Sequence, residues 1–227
     1  MAAQSGRVVV VFDFDKTLST RDNVVPFLVA ALGRSAVGLG LLRSIPDLLR
    51  GRRDAVKARF VRALAGRDEQ EIRAVAARIA ADVLARHLRP DVVARAAWHR
   101  REGHDVVIVS ASFSWYLEPI ASALGIDHVL ATGLEVADGR LTGALVGPNV
   151  RRAEKVRRLE VWLGGTPARI WAYGDSGGDR ELLARADVAM RVGRAPLSAA
   201  PLDVDPDDIA ADRPGPDSAS GTGRVAP

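Results

Sequence analysis

Cysteine is absent from the 227 residues of this chain, and its absence excludes several kinds of chemistry. Without cysteine there can be no disulfide, no thiolate nucleophile and no thiolate ligand for zinc. Histidine is scarce as well. The four histidines, His87, His99, His104 and His128, have no spacing typical of metal ligands, and we interpret them as structural residues.

Long apolar runs are also missing. No uninterrupted stretch approaches the roughly 20 residues of a transmembrane helix, and no basic and then apolar segment typical of a signal peptide precedes the first predicted strand. We therefore expect a cytoplasmic protein. Hydrophobic residues nevertheless make up 48% of the chain, which is enough for a core of one domain, or of one domain with a smaller one inserted into it.

Lysine is the third scarce residue type. Lys16, Lys57 and Lys155 are the lysines, and arginine supplies the other 29 of the 32 basic residues. The basic excess lies in residues 34–102, where it indicates a solvated surface, an anionic substrate or an anionic lipid. Aromatic residues amount to 5% and do not alternate with the arginines, so we expect no nucleic-acid partner.

The first informative motif follows an apolar run at residues 8–12, V-V-V-V-F, which is typical of a strand buried on both faces. The run ends in D-F-D-K-T, so that Asp13 and Asp15 leave a strand at its carboxyl end. In open α/β sheets ligands bind beyond that end. The two carboxylates are therefore candidate catalytic residues, although a lone D-x-D motif also occurs in solvated turns.

Two later motifs occupy comparable positions. Residues 106–112, V-V-I-V-S-A-S, are predicted to form a second buried strand, with Ser110 and Ala111 at its end. Lys155 lies near the start of a predicted amphipathic helix over residues 153–163. Taken singly, a serine at a strand end and a lysine on a helix usually have only structural roles.

The last motif lies in residues 168–179, A-R-I-W-A-Y-G-D-S-G-G-D. It is a predicted strand followed by a glycine-rich loop that carries Asp175 and Asp179. Either aspartate could serve the loop alone, and Asp179 could also cap the helix that follows it.

Taken together, D-x-D-x-T, S-x-S, a lone lysine and G-D-x-x-x-D resemble the motifs of the haloacid dehalogenase superfamily of phosphohydrolases. The chain is most similar to the phosphoserine-phosphatase-like branch, subfamily IB, over about residues 8–192. This resemblance implies a Mg²⁺-dependent phosphatase that acts on a small phosphorylated metabolite through an aspartyl phosphate.

The resemblance also implies a role for each motif residue. Asp13 would be the nucleophile, and Asp15 the general acid and then the general base. Ser110 and Lys155 would hold the phosphoryl group. The residues implied to ligate Mg²⁺, Asp15 through its backbone carbonyl, are Asp13, Asp15, Asp175 and Asp179. The residues implied to bind substrate are Asp22, Ser110, Ala111 and Lys155.

The sequence departs from phosphoserine phosphatases at two places: Asp22 stands where those enzymes have a glutamate, and the loop G-D-S-G-G-D lacks the asparagine that they usually have. Those enzymes grip the amino acid with a glutamate shortly after the first motif and an arginine further along. Here the matching acidic position is Asp22, and Arg59 and Arg62 are both candidates for the arginine. The identity of the phosphomonoester therefore stays open, as do the acceptor, water or another group, and the oligomeric state.

The order of predicted elements favours a doubly wound, mostly parallel α/β sheet. About ninety mostly helical residues separate the first two strands, which is far more than a crossover needs. The resemblance identifies them as a helical cap over the site. We assign residues 1–21 and 102–195 to the core, residues 22–101 to the cap, and residues 196–227 to a disordered tail.

Two other functions are consistent with the sequence. One is a lipid-phosphate phosphatase, for example one acting on phosphatidylglycerol phosphate, because residues 24–49 are predicted to form two or three apolar helices interrupted by Arg34, Arg43 and Arg50. Cap helices that bury this apolar face are the more common explanation, which makes the membrane surface the less favoured partner. The other is a phospho-ligand binder without catalysis, against which the complete set of motifs argues.

Overall fold

A computed structural model describes residues 6–197 of the chain. The predicted tail, residues 196–227, lies outside the described residues except for its first two. No helix among residues 6–197 combines the length and the apolar character that crossing a bilayer requires.

The described residues form a six-stranded sheet with helices on both faces. In chain order its strands are β1 (Val8–Phe12), β2 (Asp105–Phe113), β3 (His128–Ala137), β4 (Arg140–Val146), β5 (Arg169–Gly174) and β6 (Val188–Arg191). The spatial order is β4-β3-β2-β1-β5-β6, and only β4 runs antiparallel to its neighbour. This architecture confirms the predicted mostly parallel α/β sheet.

The helices described in residues 6–197 are α1 (Val24–Leu32), α2 (Arg34–Arg43), α3 (Ile45–Leu49), α4 (Arg53–Arg62), α5 (Glu69–Arg86), α6 (Pro90–Arg101), α7 (Ser114–Ala123), α8 (Ala153–Leu163) and α9 (Arg180–Arg185). Six of them, α1 to α6, fall between β1 and β2. The connection thus contains a helical unit of its own, placed immediately after the first motif.

The apolar run of β1 is buried because the strand lies inside the sheet, between β2 and β5. Since side chains alternate along a strand, Val10 and Phe12 join the core on one face, whereas Val9 and Val11 join the core on the other. The ring of Phe12 stacks on Tyr173 of β5 at 4.5 Å between centroids. Burial on both faces explains why the run has no polar residue.

Helix α6 packs on the sheet. His99 of this helix contacts the hydroxyl of Tyr173 through Nε2 at 2.9 Å, and its ring lies 5.2 Å from that of Trp171. We assigned α6 to the cap from the sequence, as part of residues 22–101. Because His99 of α6 contacts side chains of β5 and Phe12 of β1, we now propose that the helical insertion ends before Pro90 and that α6 belongs to the core.

Candidate active site

The motif residues meet because β1, β2 and β5 are adjacent and parallel. The backbone N–H of Asp13 donates to the carbonyl of Tyr173 at 2.9 Å, so the pairing of β1 with β5 extends to the first carboxylate. The chain then turns sharply over Phe14–Leu18, where Lys16 adopts a left-handed conformation with φ of 61°. This turn returns the chain over the sheet edge and keeps Asp15 beside Asp13.

A cavity of about 360 Å³ opens at this edge between the sheet and helices α1 to α4. Eight residues proposed for the site from the sequence line it, namely Asp13, Asp15, Asp22, Ser110, Ala111, Lys155, Asp175 and Asp179. Four motifs that are far apart in the chain thus surround one space, and their roles in it are proposals that the geometry supports.

Lys155 lies at the closed end of the cavity. Its Nζ donates to Oδ1 of Asp13 and to Oδ1 of Asp179, both at 2.5 Å, and all three side chains are buried. Burial opposes the charge of Lys155, but the two carboxylates outweigh that effect and raise its pKa. Lys155 is therefore a permanent cation that holds the carboxylates of two motifs together.

Carboxylates outnumber cations in this cluster. Oxygens of Asp13, Asp175 and Asp179 all lie within 4.8 Å of one another. Burial raises the pKa of Asp13 to about 6, an effect opposed by Lys155 and increased by Asp179. Burial and Asp179 also raise the pKa of Asp175. Three converging carboxylates whose charge Lys155 neutralises only in part fit a hard divalent cation such as Mg²⁺, which prefers oxygen ligands.

Asp15 points away from that cluster into a separate set of hydrogen bonds. Its Oδ2 accepts from the hydroxyl of Ser112 at 2.6 Å, and its Oδ1 accepts from the side-chain amide of Asn23 at 2.9 Å. Burial, with further contributions from Asp22 and Asp13, raises the pKa of Asp15 to about 7. A carboxyl group with this pKa can both donate and accept a proton near neutral pH.

Asp179 occupies the N-cap position of α9, but its side chain makes no capping hydrogen bond to that helix. Its Oδ2 accepts from the backbone N–H of Ser176 at 3.1 Å and from the hydroxyl of Ser176 at 2.9 Å, while Oδ1 binds Lys155. Gly174 makes this position available, since a Cβ there would lie 2.7 Å from the Cβ of Asp179. The loop is therefore built to direct Asp179 into the cluster.

The proposed substrate-binding residues differ in what they contact. Ser110 is buried, and its Oγ accepts from the backbone N–H of Ser112 at 3.1 Å. The carbonyl of Ala111 accepts from Lys57. Asp22 lines the cavity, but its Oδ1 also accepts from the backbone N–H of Val24 at 3.0 Å at the start of α1. Asp22 thus has a structural contact in addition to its place in the cavity.

Lys57, which the sequence motifs did not indicate as a site residue, enters the cavity from α4 and is buried there. Its Nζ donates to the carbonyl of Ala111 and to Oδ1 of Asn149, the latter at 2.8 Å. Burial lowers the pKa of Lys57 to about 7, against the opposing effect of Asp15 and two other aspartates. The one available signal was the rarity of lysine, because all three lysines line this cavity.

Neither predicted arginine lines the cavity. Arg59 of α4 pairs with Asp47 at 3.1 Å, and Arg62 borders a separate surface depression beside β4. The arginines that do line the cavity are Arg53 and Arg151. Helical periodicity could not decide between these positions, since the face of α4 that meets the core depends on how the cap packs.

One side of the cavity is apolar. Eight side chains of α1 to α4 form this apolar wall, namely Val24, Val25, Leu28, Val37, Leu41, Leu48, Val56 and Phe60. The polar cluster and the apolar wall face each other across the same space. The cavity can therefore hold a ligand that has an anionic end and an apolar end.

Comparison with known proteins gives consistent matches. The sequence profile of the haloacid dehalogenase-like hydrolases matches residues 10–184. Protein CicA of Caulobacter vibrioides is 38% identical over 190 residues, which cover 79% of this chain and 83% of that protein. A probable phosphatase of Mycobacterium tuberculosis is 30% identical over 192 residues, which cover 80% of this chain and 67% of that protein.

The fold has solved counterparts as well. A phosphoserine phosphatase, solved as an analogue of its phospho-aspartyl intermediate, superposes with a TM-score of 0.62 over 82% of this chain and 87% of its own. The two sequences are 20% identical, so this similarity concerns the fold.

Proposed function

The chain belongs to the haloacid dehalogenase-like hydrolases and is a phosphatase of their phosphoserine-phosphatase-like branch, and we propose that it hydrolyses a small phosphorylated metabolite through an aspartyl phosphate, with Mg²⁺. The observation that carries the proposal is the position of Asp13, which is bound to Lys155 and converges with Asp175 and Asp179 at the end of the cavity.

Asp13 is the nucleophile in this proposal. One of its carboxylate oxygens forms a bond to phosphorus, and the bond from phosphorus to the ester oxygen breaks. Asp15 gives its proton to the leaving oxygen. In the second step Asp15 removes a proton from water, the water oxygen bonds to phosphorus, and the bond from phosphorus to the Asp13 oxygen breaks. Inorganic phosphate is released, and the Asp13 carboxylate is restored. A pKa of about 7 suits Asp15 to both steps.

Charge has to be neutralised before a carboxylate can approach a phosphate dianion. Lys155 orients the Asp13 carboxylate, and Ser110 donates its hydroxyl to a phosphoryl oxygen. Arg53 and Arg151 add positive charge along the cavity.

The same cluster of oxygens would hold Mg²⁺. Its ligands would be the carboxylates of Asp13, Asp175 and Asp179, directly or through water, and the backbone carbonyl of Asp15. When bound, the ion neutralises negative charge shared by the phosphoryl group and the Asp13 carboxylate.

The apolar wall favours a second candidate substrate, a lipid phosphate. A cavity that binds phosphoserine needs charged side chains to pair with the ammonium and the carboxylate of the amino acid. Most of the cap residues that line this cavity are instead aliphatic. Asp22, Arg53, Asp54 and Lys57 are the charged exceptions. Catalysis-free ligand binding is disfavoured, because no residue of the nucleophile, acid, lysine and metal-ligand set is replaced.

The proposal is tested by phosphate release from a panel of phosphomonoesters, with and without Mg²⁺. The panel contains phosphoserine, histidinol phosphate, sugar phosphates and a phosphatidylglycerol phosphate. We expect Mg²⁺-dependent turnover by the parent protein and a loss of at least about 10³-fold in Asp13→Asn. Asp127→Asn, which changes an exposed aspartate, is the matched control and should retain the parental rate.

Acid quenching during turnover of a ³²P-labelled substrate tests the intermediate. The parent should carry acid-stable label and Asp13→Asn should carry none. Near-parental turnover by Asp13→Asn would overturn the role of Asp13, and label on that variant would place the nucleophile elsewhere.

A further inference from the structure

The exposed apolar side chains of this protein are concentrated on one part of the cap. Eight large hydrophobic side chains are exposed among residues 6–197, and six of them lie in residues 25–49. Five of the six belong to α2 and α3. We call these the α2–α3 face, which comprises Leu39, Leu42, Ile45, Leu48 and Leu49.

Helix α2 is apolar on both of its sides. Val37 and Leu41 point inward and line the cavity, whereas Leu39 and Leu42 are 48% and 65% exposed on the other side. Leu49 at the end of α3 is 84% exposed. A group of large apolar side chains exposed on one part of a surface often marks an interaction site. Because the protein itself covers the inner side of α2, its exposed outer side is the candidate interaction surface.

The charges around the face are almost all of one sign. Five arginines of residues 34–53 are exposed, namely Arg34, Arg43, Arg50, Arg52 and Arg53. The one acidic residue in that range, Asp47, is half-buried and paired with Arg59 at 3.1 Å. An apolar surface surrounded by arginines complements the acyl boundary and the headgroups of an anionic bilayer.

The face is continuous with the cavity. Val25 and Leu48 belong to the apolar wall of the cavity, and each is also 43% exposed at the surface. An apolar chain could therefore pass from the cavity to the α2–α3 face without crossing polar surface.

We propose that the α2–α3 face docks this protein on an anionic lipid surface. The contact is a surface contact, with the leucines inserted at the acyl boundary and the arginines among the headgroups. In the docked orientation, the edge of the cavity at Val25 and Leu48 faces the lipids. If the proposed phosphatase function holds, the substrate class is a phosphomonoester lipid whose headgroup enters the cavity and whose chain stays in the bilayer.

Vesicle binding tests the docking without using catalysis. The full chain is mixed with vesicles of phosphatidylcholine alone or with about 30% phosphatidylglycerol, and the bound fraction is measured by flotation. We expect binding to the anionic vesicles that weakens with salt. The triple variant Arg34→Glu, Arg43→Glu, Arg50→Glu should bind at least about 100-fold more weakly, since each arginine near such a surface contributes about fivefold.

Two controls separate docking from general charge and from misfolding. The variant Arg78→Glu, Arg101→Glu, Arg191→Glu makes the same change in net charge at exposed positions outside the face, and it should bind like the parent. Leu42→Ser with Leu49→Ser should weaken binding at unchanged charge. Circular dichroism and turnover of a soluble phosphomonoester verify that each variant is folded.

The result that would overturn the proposal is binding that is absent, or equal for parent and arginine triple variant. Light scattering that shows a dimer dissociated by Leu42→Ser with Leu49→Ser, with no vesicle binding, would assign the face to a second copy of the chain instead. Because an inactive Asp13→Asn protein should still float with anionic vesicles, failure of the phosphatase mechanism and failure of docking give different results.

Discussion

Lys57 is held in an environment that opposes its charge. Its ammonium group is buried between the core and α4, where burial lowers the pKa to about 7. At neutral pH the group is thus divided between its charged and neutral forms, unlike Lys155, whose two carboxylate partners keep it charged. We propose that Lys57 binds the anionic substrate in its charged form.

This proposal predicts the pH dependence of kcat/KM. As pH rises above about 7, the parent loses two protons that catalysis needs. One is the proton of the Asp15 carboxyl group, and the other is the proton that gives Lys57 its positive charge. A plot of log kcat/KM against pH should therefore fall with a slope of about two. In Lys57→Arg the charge persists at all of these pH values, so the slope should be about one.

A third variant provides the control. Lys57→Met removes the charge at every pH, and it should raise KM at pH 6.5 by about tenfold or more while Lys57→Arg largely restores the parental value. A slope that is the same in parent and Lys57→Arg, together with an unchanged KM in Lys57→Met, would limit Lys57 to a structural role between cap and core.

At the scale of elements, the junction of β5 and α9 shows how a loop can position a charge. Gly174 ends the strand, and the side chain of Asp179 occupies the space in which a Cβ of residue 174 would lie. Ser176 then binds Asp179 from within the loop. The glycine is needed for close approach and not for an unusual backbone angle, since its φ is not among the positive values.

Gly174→Ala should therefore impair the site and leave the fold intact. The new methyl group must displace Asp179, and with it one of the two partners of Lys155, so we expect kcat/KM to fall about tenfold or more. Gly177→Ala is the matched control in the same loop, because a Cβ at that position meets nothing within 4 Å. Equal activity of the two variants would show that Asp179 tolerates the displacement.

At the scale of the whole molecule, the site joins parts of the chain that would otherwise repel one another. Asp13, Asp175 and Asp179 come from two strand ends and one helix start, and Lys155 compensates only part of their charge. A cation that binds only the folded state shifts the folding equilibrium by mass action. Mg²⁺ should therefore stabilise the whole protein as well as the site.

We expect saturating Mg²⁺ to raise the Tm of the parent by about 5 °C to 11 °C. An ion present at a hundredfold excess over its Kd contributes about 2.7 kcal/mol, and 1 kcal/mol corresponds to about 2 °C to 4 °C for a protein of this size. Asp175→Asn should lose most of this shift, and Asp127→Asn should keep it. Differential scanning calorimetry measures both, and an equal shift in Asp175→Asn would place the ion elsewhere.

Hydrogen bonds between residues far apart in the chain connect the cap to the core, and no sequence pattern within one element predicts them. Asn149, just before α8, accepts from Lys57 and donates to Asp54 of α4 at 2.7 Å. Thr132 of β3 also donates to Asn149 at 2.9 Å. These contacts bring the base of α4 against the carboxyl end of the sheet, and they close one side of the cavity.

The sequence by itself determined the fold class and the residues at the strand ends. A buried strand needs a continuous apolar run, and a carboxylate immediately after that run must lie at the sheet edge, so the placement of Asp13 and Asp175 follows from local pattern. The turn between β3 and β4 at Asp138 and Gly139, both at positive φ, is equally local, because an Asp-Gly pair favours the two-residue turn of a hairpin.

Only the tertiary structure decided which side chains complete the site and which remain on the surface. Lys57 contacts residues 54 and 92 positions away in the chain, and Ser112 reaches Asp15 across 97 positions. Packing likewise decides which apolar side chains of α2 stay exposed, because this helix carries aliphatic residues on both its inner and its outer side. Such features depend on which elements meet, and periodicity within one element carries no information about its neighbours.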